Sequence, residues 1–303
     1  MRRLPLVLGI LACCLLARSA PAQVLYAAVG DDAGNGLYTI DPLTSQPTLV
    51  GPIAIEGSQV GVTGLAIHPQ THVMYGVTTD LESPPELITI DPTTGNATLI
   101  GGVSLFAVPD ITFSADGTLY GWQKGAAEDV VAPAAKASGR RALANPLGGL
   151  VRINLTTGAA TFVGTPVSMQ QQGCGLTSLL GVLYLSLQQA SGPLLTVNPA
   201  TGVTTVGPTM NGPGAPIAAL ASSPSGVLYG ATNNGSLITI NTSTGAVTTI
   251  GSNLPEGTDA LVFTNSALGG GNALLNVPAL GHAGLLALGA ALALAGFFLV
   301  RLR

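Results

Sequence analysis

Charge is scarce in this chain: only 8% of its 303 residues are Asp, Glu, Lys or Arg. Of the ten basic residues, Arg2, Arg3, Arg18, Arg301 and Arg303 lie at the two ends. The intervening stretch holds five basic residues against all fourteen acids, a net charge of −9. An acidic surface with almost no basic clusters argues against nucleic acid and anionic lipid as partners. Aromatics make up 4%, with a single Trp. That leaves few of the flat walls a sugar-cleaving cleft uses. Cysteine is nearly absent: Cys13, Cys14 and Cys174.

Residues 1–22 read as a secretory leader. Arg2 and Arg3 form the charged start, Leu4 to Ala17 the apolar run, and Ala20-Pro21-Ala22 a small-residue cleavage site before Gln23. Lipoprotein processing would cut just before Cys13 or Cys14, but Ile10-Leu11-Ala12 suits it poorly and the apolar run would be truncated. Cleavage after Ala22 leaves Cys174 as the sole cysteine, so no intramolecular disulfide is expected. Cys174 itself reads as a small buried residue.

What is abundant is Thr, Gly, Ala and Asn, in a periodic pattern. The stretch Leu87–Gly101, LITIDPTTGNATLIG, recurs at 37–51, 150–164, 194–207 and 237–251. Each copy reads as strand, tight turn, strand, with alternating apolar residues in the first arm and Thr and β-branched residues in the second. Asp41, Asp91, Asn154, Asn198 and Asn241 open the turns by binding backbone amides two residues on, and a glycine such as Gly95 closes them in the left-handed conformation. Recurrence in every unit marks them as turn formers.

A second element precedes each hairpin: the Leu-Tyr or Met-Tyr pairs at 25–26, 74–75, 119–120, 183–184 and 228–229. A third precedes four of these, at 64–67, 110–113, 175–178 and 219–222. Each unit is therefore four short strands. The hairpin-closing glycines 51, 101, 164, 207 and 251 recur at propeller-blade spacing. The first unit lacks its first strand, and Asp259-Ala260-Leu261-Val262-Phe263 supplies it after the fifth hairpin. The expected fold is all-β: a five-bladed β-propeller over 23–265, closed by its C-terminal strand so that no sheet edge is left open.

The hairpins, with their "IDxxTG" turns, resemble exported bacterial propellers of the YVTN-like kind over most of 24–265. That resemblance implies a fold and no reaction. After a Gly/Ala/Asn-rich linker at 266–276 comes Val277-Pro278-Ala279-Leu280-Gly281-His282-Ala283-Gly284. An uncharged run then extends from Ala283 to Val300, and Arg301-Leu302-Arg303 ends the chain. As a helix the run spans about 27 Å, enough for a bilayer core. The terminal arginines suit a positive-inside stop. This three-part tail resembles C-terminal sorting signals of the exosortase type, the IPTL kind. Val277, Pro278, Leu280 and Gly284 fit that motif, while Ala279 and Ala283 depart from it. The resemblance, confined to 277–303, implies a bacterial envelope protein handled by a sorting enzyme and tethered by its C-terminal helix.

In this topology the connections between units and the loops after each second strand share one face, which carries most acids and the longest loop, 122–148. That loop holds Lys124, Lys136, Arg140 and Arg141, and reads either as a binding flap or as a disordered insertion. Function in scaffolded folds sits on such loops. Expected binding residues are Asp80, Glu82, Asp110, Trp122, Lys124, Arg140, Arg141 and Asp259. Asp110 and Asp259 both precede inner strands and are expected at the mouth of the central channel. They either cap loop amides, bind a cation, or act as acid and base on a sugar. His68 and His72 sit in a turn with no third ligand nearby, and no metal or cofactor is expected. The sequence thus favours a non-enzymatic, exported binding module for a glycan, peptide or protein, with a secreted glycan hydrolase or lyase as the alternative.

Overall fold

The computed structural model describes residues 23–30, 36–78, 85–105, 107–124, 147–168, 173–212 and 214–264. The leader, the linker, the sorting tail and residues 125–146 of the long loop lie outside them, as do Asp80, Glu82, Arg140, Arg141, Ala20 and Ala22, and with the tail Val277, Pro278, Leu280, Gly284, Arg301 and Arg303. No described residue is helical, and no helix among them is long and apolar enough to cross a membrane.

Blade one contains β1 (Leu25–Val29), β2 (Gly36–Ile40) and β3 (Pro47–Pro52). A small hairpin of β4 (Ala54–Ile55) and β5 (Ser58–Gln59) follows. Blade two is β6 (Val62–Ile67), β7 (Met74–Thr78), β8 (Glu86–Ile90) and β9 (Asn96–Gly102). Blade three is β10 (Ile111–Phe113), β11 (Leu119–Gln123), β12 (Leu147–Ile153) and β13 (Ala160–Phe162), with β14 (Val167–Ser168) beside β12. Blade four is β15 (Gly173–Leu179), β16 (Val182–Leu187), β17 (Pro193–Val197) and β18 (Thr204–Thr209). Blade five is β19 (Ile217–Ser222), β20 (Leu228–Thr232), β21 (Leu237–Ile240) and β22 (Val247–Gly251). The last strand, β23 (Thr258–Phe263), pairs antiparallel with β1, Leu25 opposite Phe263 and Ala28 opposite Ala260. It completes blade one, as the sequence predicts. The innermost strands β23, β6, β10, β15 and β19 each contact the next and ring the axis.

The core is five cores, one per seam between blades. Leu25, Ala27 and Phe263 pack on Ala219, Ala231 and Leu237 between blades one and five. Ala28, Leu37 and Ala260, from the opposite faces of the same strands, pack on Leu65, Met74 and Ile88 of blade two. Blades two and three share Val77, Leu87, Ile111 and Val151. Blades three and four share Trp122, Leu150, Leu176 and Leu185. Blades four and five share Leu194, Ile217, Leu220 and Ile238. Strands so placed are buried on both faces, so their inner residues run apolar instead of alternating.

The turns carry the expected chemistry. Asp41 Oδ1 accepts Leu43 N–H, and Asp91 Oδ1 accepts both N–H and hydroxyl of Thr93. Asn154, Asn198 and Asn241 each accept two turn amides. These bonds, led by the Leu43 amide at Asp41 and by the Thr93 hydroxyl at Asp91, hold both carboxyls below the usual range. Gly95 has φ +82°. It also lies so close to blade one that a Cβ would collide with the carbonyl of Pro52, while a Cβ on Gly51 would collide with that of Thr94. The turn of each blade is thus keyed onto the outer strand of the blade before it. At the closing seam the key changes. Ser45 takes the glycine's place at φ +60°, fully buried, and Asn253 Nδ2 donates to its Oγ at 3.0 Å and to Thr44 O at 3.2 Å.

Candidate functional site

Where the inner strands begin, the ladder slips. In β6 the register shifts between Val62 and Gly64, in β19 between Ile217 and Ala219, and β15 slips between Gly173 and Leu176. In β23 the residue between Thr258 and Ala260 has no partner in β1. Such bulges re-aim single side chains. The residues released are Thr63, Cys174, Ala218 and Asp259, and Pro109 holds the matching place ahead of β10. These five equivalent positions all line one cavity of about 200 Å³ on the axis. Around it stand the residues that follow the second strands of blades three, four and five: Lys124, Gln188 and Asn233. Thr78, Pro85, Ala107 and Val108 complete the wall.

The Lys124 ammonium donates to Gln188 Oε1 at 3.2 Å, bridging blades three and four, and also reaches the Cys174 thiol. Burial pushes the Cys174 thiol up; Lys124 opposes this, and Asp259 and Asp110 add to it. Asp259 is half-buried and its carboxylate lies against Gly30, where a Cβ would collide with Oδ2. Asp259 belongs to blade one and Lys124 to blade three, so the two charges stand two blades apart around the mouth.

Asp110 is placed differently from the expectation that it shares the mouth with Asp259. It is one register position further along, equivalent to Ala260, Gly64, Gly175 and Ala219, and is fully buried. A one-residue offset in a strand sends the side chain to the other side. The carboxyl fills axial space that the small residues leave. Oδ1 accepts Ile111 N–H at 2.8 Å, and Oδ2 accepts Leu176 N–H at 2.8 Å and Leu220 N–H at 3.5 Å. It thus ties together the inner strands of blades three, four and five and forms a floor beneath the cavity. A second, smaller cavity of about 70 Å³, lined only by inner-strand residues such as Thr112, Ser178 and Phe263, lies beyond it. Burial drives the Asp110 carboxyl well above the ordinary range; the three amides pull against this and Asp259 adds to it. The amide-capping role is the one its contacts display.

Trp122, expected on the binding face, is fully buried. Alternation along β11 sends Tyr120 and Trp122 into the seam with blade four, so its ring is withheld from ligand. Its Nε1 and the Oε1 of neighbouring Gln123 are buried without hydrogen-bond partners. His68 is a turn residue, its Nδ1 accepting the amides of Gln70 and Thr71. Sequence reasoning missed Thr63, Cys174, Gln188 and Asn233. The available signal was positional, since each follows or precedes the repeated Leu-Tyr or Gly-Leu element by the same count.

Five four-stranded blades in a closed ring around an axial pocket make this a five-bladed β-propeller. Residues 111–277 match the family model "Repeat of unknown function (DUF6923)", more than half of the chain, and the chain belongs to that family. No curated protein matches it. Among solved structures, a chain of the nidogen/laminin complex is similar at TM-score 0.50 and 10% identity, over 80% of this chain and 98% of that one. TolB from Acinetobacter baumannii is similar at TM-score 0.45 and 12% identity, over 80% of this chain and 66% of that one. At 10% identity the likeness to the nidogen/laminin chain is one of fold.

Proposed function

We propose that this chain is a non-enzymatic binding module of the bacterial envelope or cell surface, engaging a glycan, peptide or protein partner through the loop-rich face around the axial mouth. One observation carries this reading. The repeats hold Leu, Tyr, Gly and Thr at their structural positions, yet the five equivalent positions lining the cavity read Thr63, Pro109, Cys174, Ala218 and Asp259. At these positions, within reach of a ligand from solution, the chemistry differs from blade to blade. A hydrolase or lyase using Asp110 and Asp259 is less well supported, because Asp110 has no exposed surface and its oxygens are engaged by backbone amides. Export rests on the leader at 1–22, on the likeness to YVTN-like exported propellers and on the exosortase-type tail.

A glycan, cell-wall and surface-protein binding screen of the full chain, with hydrolysis read in the same wells, tests the module. Binding without turnover is expected; turnover abolished by Asp259→Asn overturns the non-enzymatic reading. For localisation, removing 277–303 releases a folded protein into the periplasm or medium. Retention of the shortened chain at the membrane refutes the assignment of the tail as its anchor.

A further inference from the structure

The two faces of the ring show different surfaces to solvent. Every inner strand runs from the loop-rich face to the opposite one, where the turns after the first and third strands of each blade lie. Leu43 stands in the third-strand turn of blade one and Val203 at the end of that of blade four, while Leu180 tips the first-strand turn of blade four. They are 83%, 60% and 84% exposed. Val73 and Val182, each at the foot of a second strand, are exposed on the same face. The other exposed large apolar side chains, Leu49, Leu99 and Val206, lie on the outer strands β3, β9 and β18, so none among the described residues sits on the loop face. One exposed leucine carries no message. These residues are sorted onto one face and spread over blades one, two and four, which sets them around a plane. Both ends of the described fold leave from that face. Val24 N–H donates to Thr264 Oγ1 at 2.9 Å, and Thr264 N–H to the Val24 carbonyl at 2.8 Å. The leader lies just ahead of Val24, and residues 265–282 separate Thr264 from the apolar run of 283–300.

We infer that the turn face docks on a bilayer surface of zwitterionic lipid, with Leu43, Leu180 and Val203 entering the boundary between headgroups and acyl chains. This rests on the reading of the tail as a membrane tether. A groove in a protein partner would ask for one contiguous patch, whereas that boundary is continuous and takes apolar side chains wherever the plane presents them. So few side chains do not hold a protein from solution; the tether supplies the effective concentration. Asp116, held below the usual carboxyl range chiefly by the Ser114 hydroxyl, joins Asp41 and Asp91 in the turns of this face. The three ionised carboxylates keep to the water side of the headgroups and disfavour an anionic surface. Docking in this sense turns the loop face and its axial mouth toward solution, the side from which a partner arrives.

The test uses the full chain, its native cysteines replaced by serine, in phosphatidylcholine vesicles that carry a spin label on the acyl chains near the headgroups. A fluorophore is attached at Thr94→Cys, on the turn face, or at Glu256→Cys, on the loop face; both sites are exposed. Quenching by the labelled lipid is expected to be several-fold stronger at Thr94→Cys. Leu43→Ser and Leu180→Ser together are expected to remove most of that difference with an unchanged thermal melt, since both side chains are exposed tips. Replacing half of the lipid by phosphatidylglycerol is expected to weaken the quenching at Thr94→Cys as well. Equal quenching at the two sites, stronger quenching at Glu256→Cys, or quenching at Thr94→Cys that the double substitution leaves unchanged overturns the inference. So does shielding of Thr94→Cys from a soluble quencher without lipid quenching, which marks the face as covered by a second copy or a protein partner. The tether is scored apart, by flotation with the vesicles. A chain that floats without lipid contact at Thr94→Cys sinks only the docking; a chain that does not float sinks the tether and the docking together.

Discussion

Replacing Asp110 by asparagine isolates the carboxyl at the centre of the ring. The shape is kept, but one acceptor oxygen becomes a donor. Oδ1 takes the Ile111 amide and Oδ2 those of Leu176 and Leu220, so either orientation of the new amide leaves at least one buried N–H facing N–H. That costs about 1–3 kcal/mol per unsatisfied donor. The size of the deficit depends on pH, with a defined sign. Burial raises the Asp110 carboxyl well above the ordinary range, which is about 3.9 for an aspartate. The folded state therefore holds the proton more tightly than the unfolded one. The contribution of this group is fully present below about pH 3.9 and is lost as pH climbs from there through the folded-state value, at a limiting slope of about 1.4 kcal/mol per pH unit. Asparagine does not titrate. The deficit of Asp110→Asn should then be largest near pH 4 and shrink toward neutrality. Urea titrations of both proteins between about pH 4 and pH 7, with unchanged m-value, read this directly. Asp259, Cys174 and Lys124 are present in both proteins and cancel to first order. A deficit that grows with pH would mean that three amides outweigh desolvation and that the carboxylate is ionised in the fold, refuting the argument.

The keyed seams give three further expectations. Gly158→Ala places a Cβ at φ +75° against the Gly101 carbonyl, so it should cost more than the roughly 1–2 kcal/mol of left-handed backbone strain alone, whereas Thr157→Ala at the exposed neighbour should change urea stability by less than about 0.5 kcal/mol. Asn253→Ala removes the clasp on Ser45 and should cost about 0.5–1.5 kcal/mol, with faster proteolysis confined to the seam between blades five and one. Trp122→Phe should cost no more than about 3 kcal/mol by thermal melt, from the buried volume it removes, because the buried Nε1 has no acceptor to lose; a loss as large as that of truncation to alanine would contradict this.

The blades were legible because the residues that write them act locally. An Asx residue, a proline and a left-handed glycine determine a turn within a few positions, and the residues on either side of it need only alternate. The role of the closing glycines was not legible. Gly51 is required by the Thr94 carbonyl of another blade, a contact more than forty residues away that no local pattern encodes. The axial site was read half correctly for a similar reason. Asp110 and Asp259 both stand at the head of an inner strand, but the slip in β23 moves them to different levels, and a bulge has no sequence marker here. Trp122 looked like loop because its strand runs on into a long insertion; the pairing of Trp122 with Leu150 and of Gln123 with Gly149 extends β11 past the point where the alternation could be followed.

The pairing of β23 with β1 also orders the protein in time. A chain emerging N-terminus first presents β1 early, with an unoccupied edge where Leu25 through Val29 await partners more than two hundred residues downstream. Blades two to five can assemble from neighbouring sequence as it appears, but blade one stays three-stranded until Phe263 arrives. The Val24 amide then meets Thr264 Oγ1 and the Thr264 amide meets the Val24 carbonyl. Synthesis halted between Gly251 and Thr258 leaves a nearly finished ring with a sticky flank, and the six residues of β23, placed by the slowest kind of contact a chain can make, are what closes it.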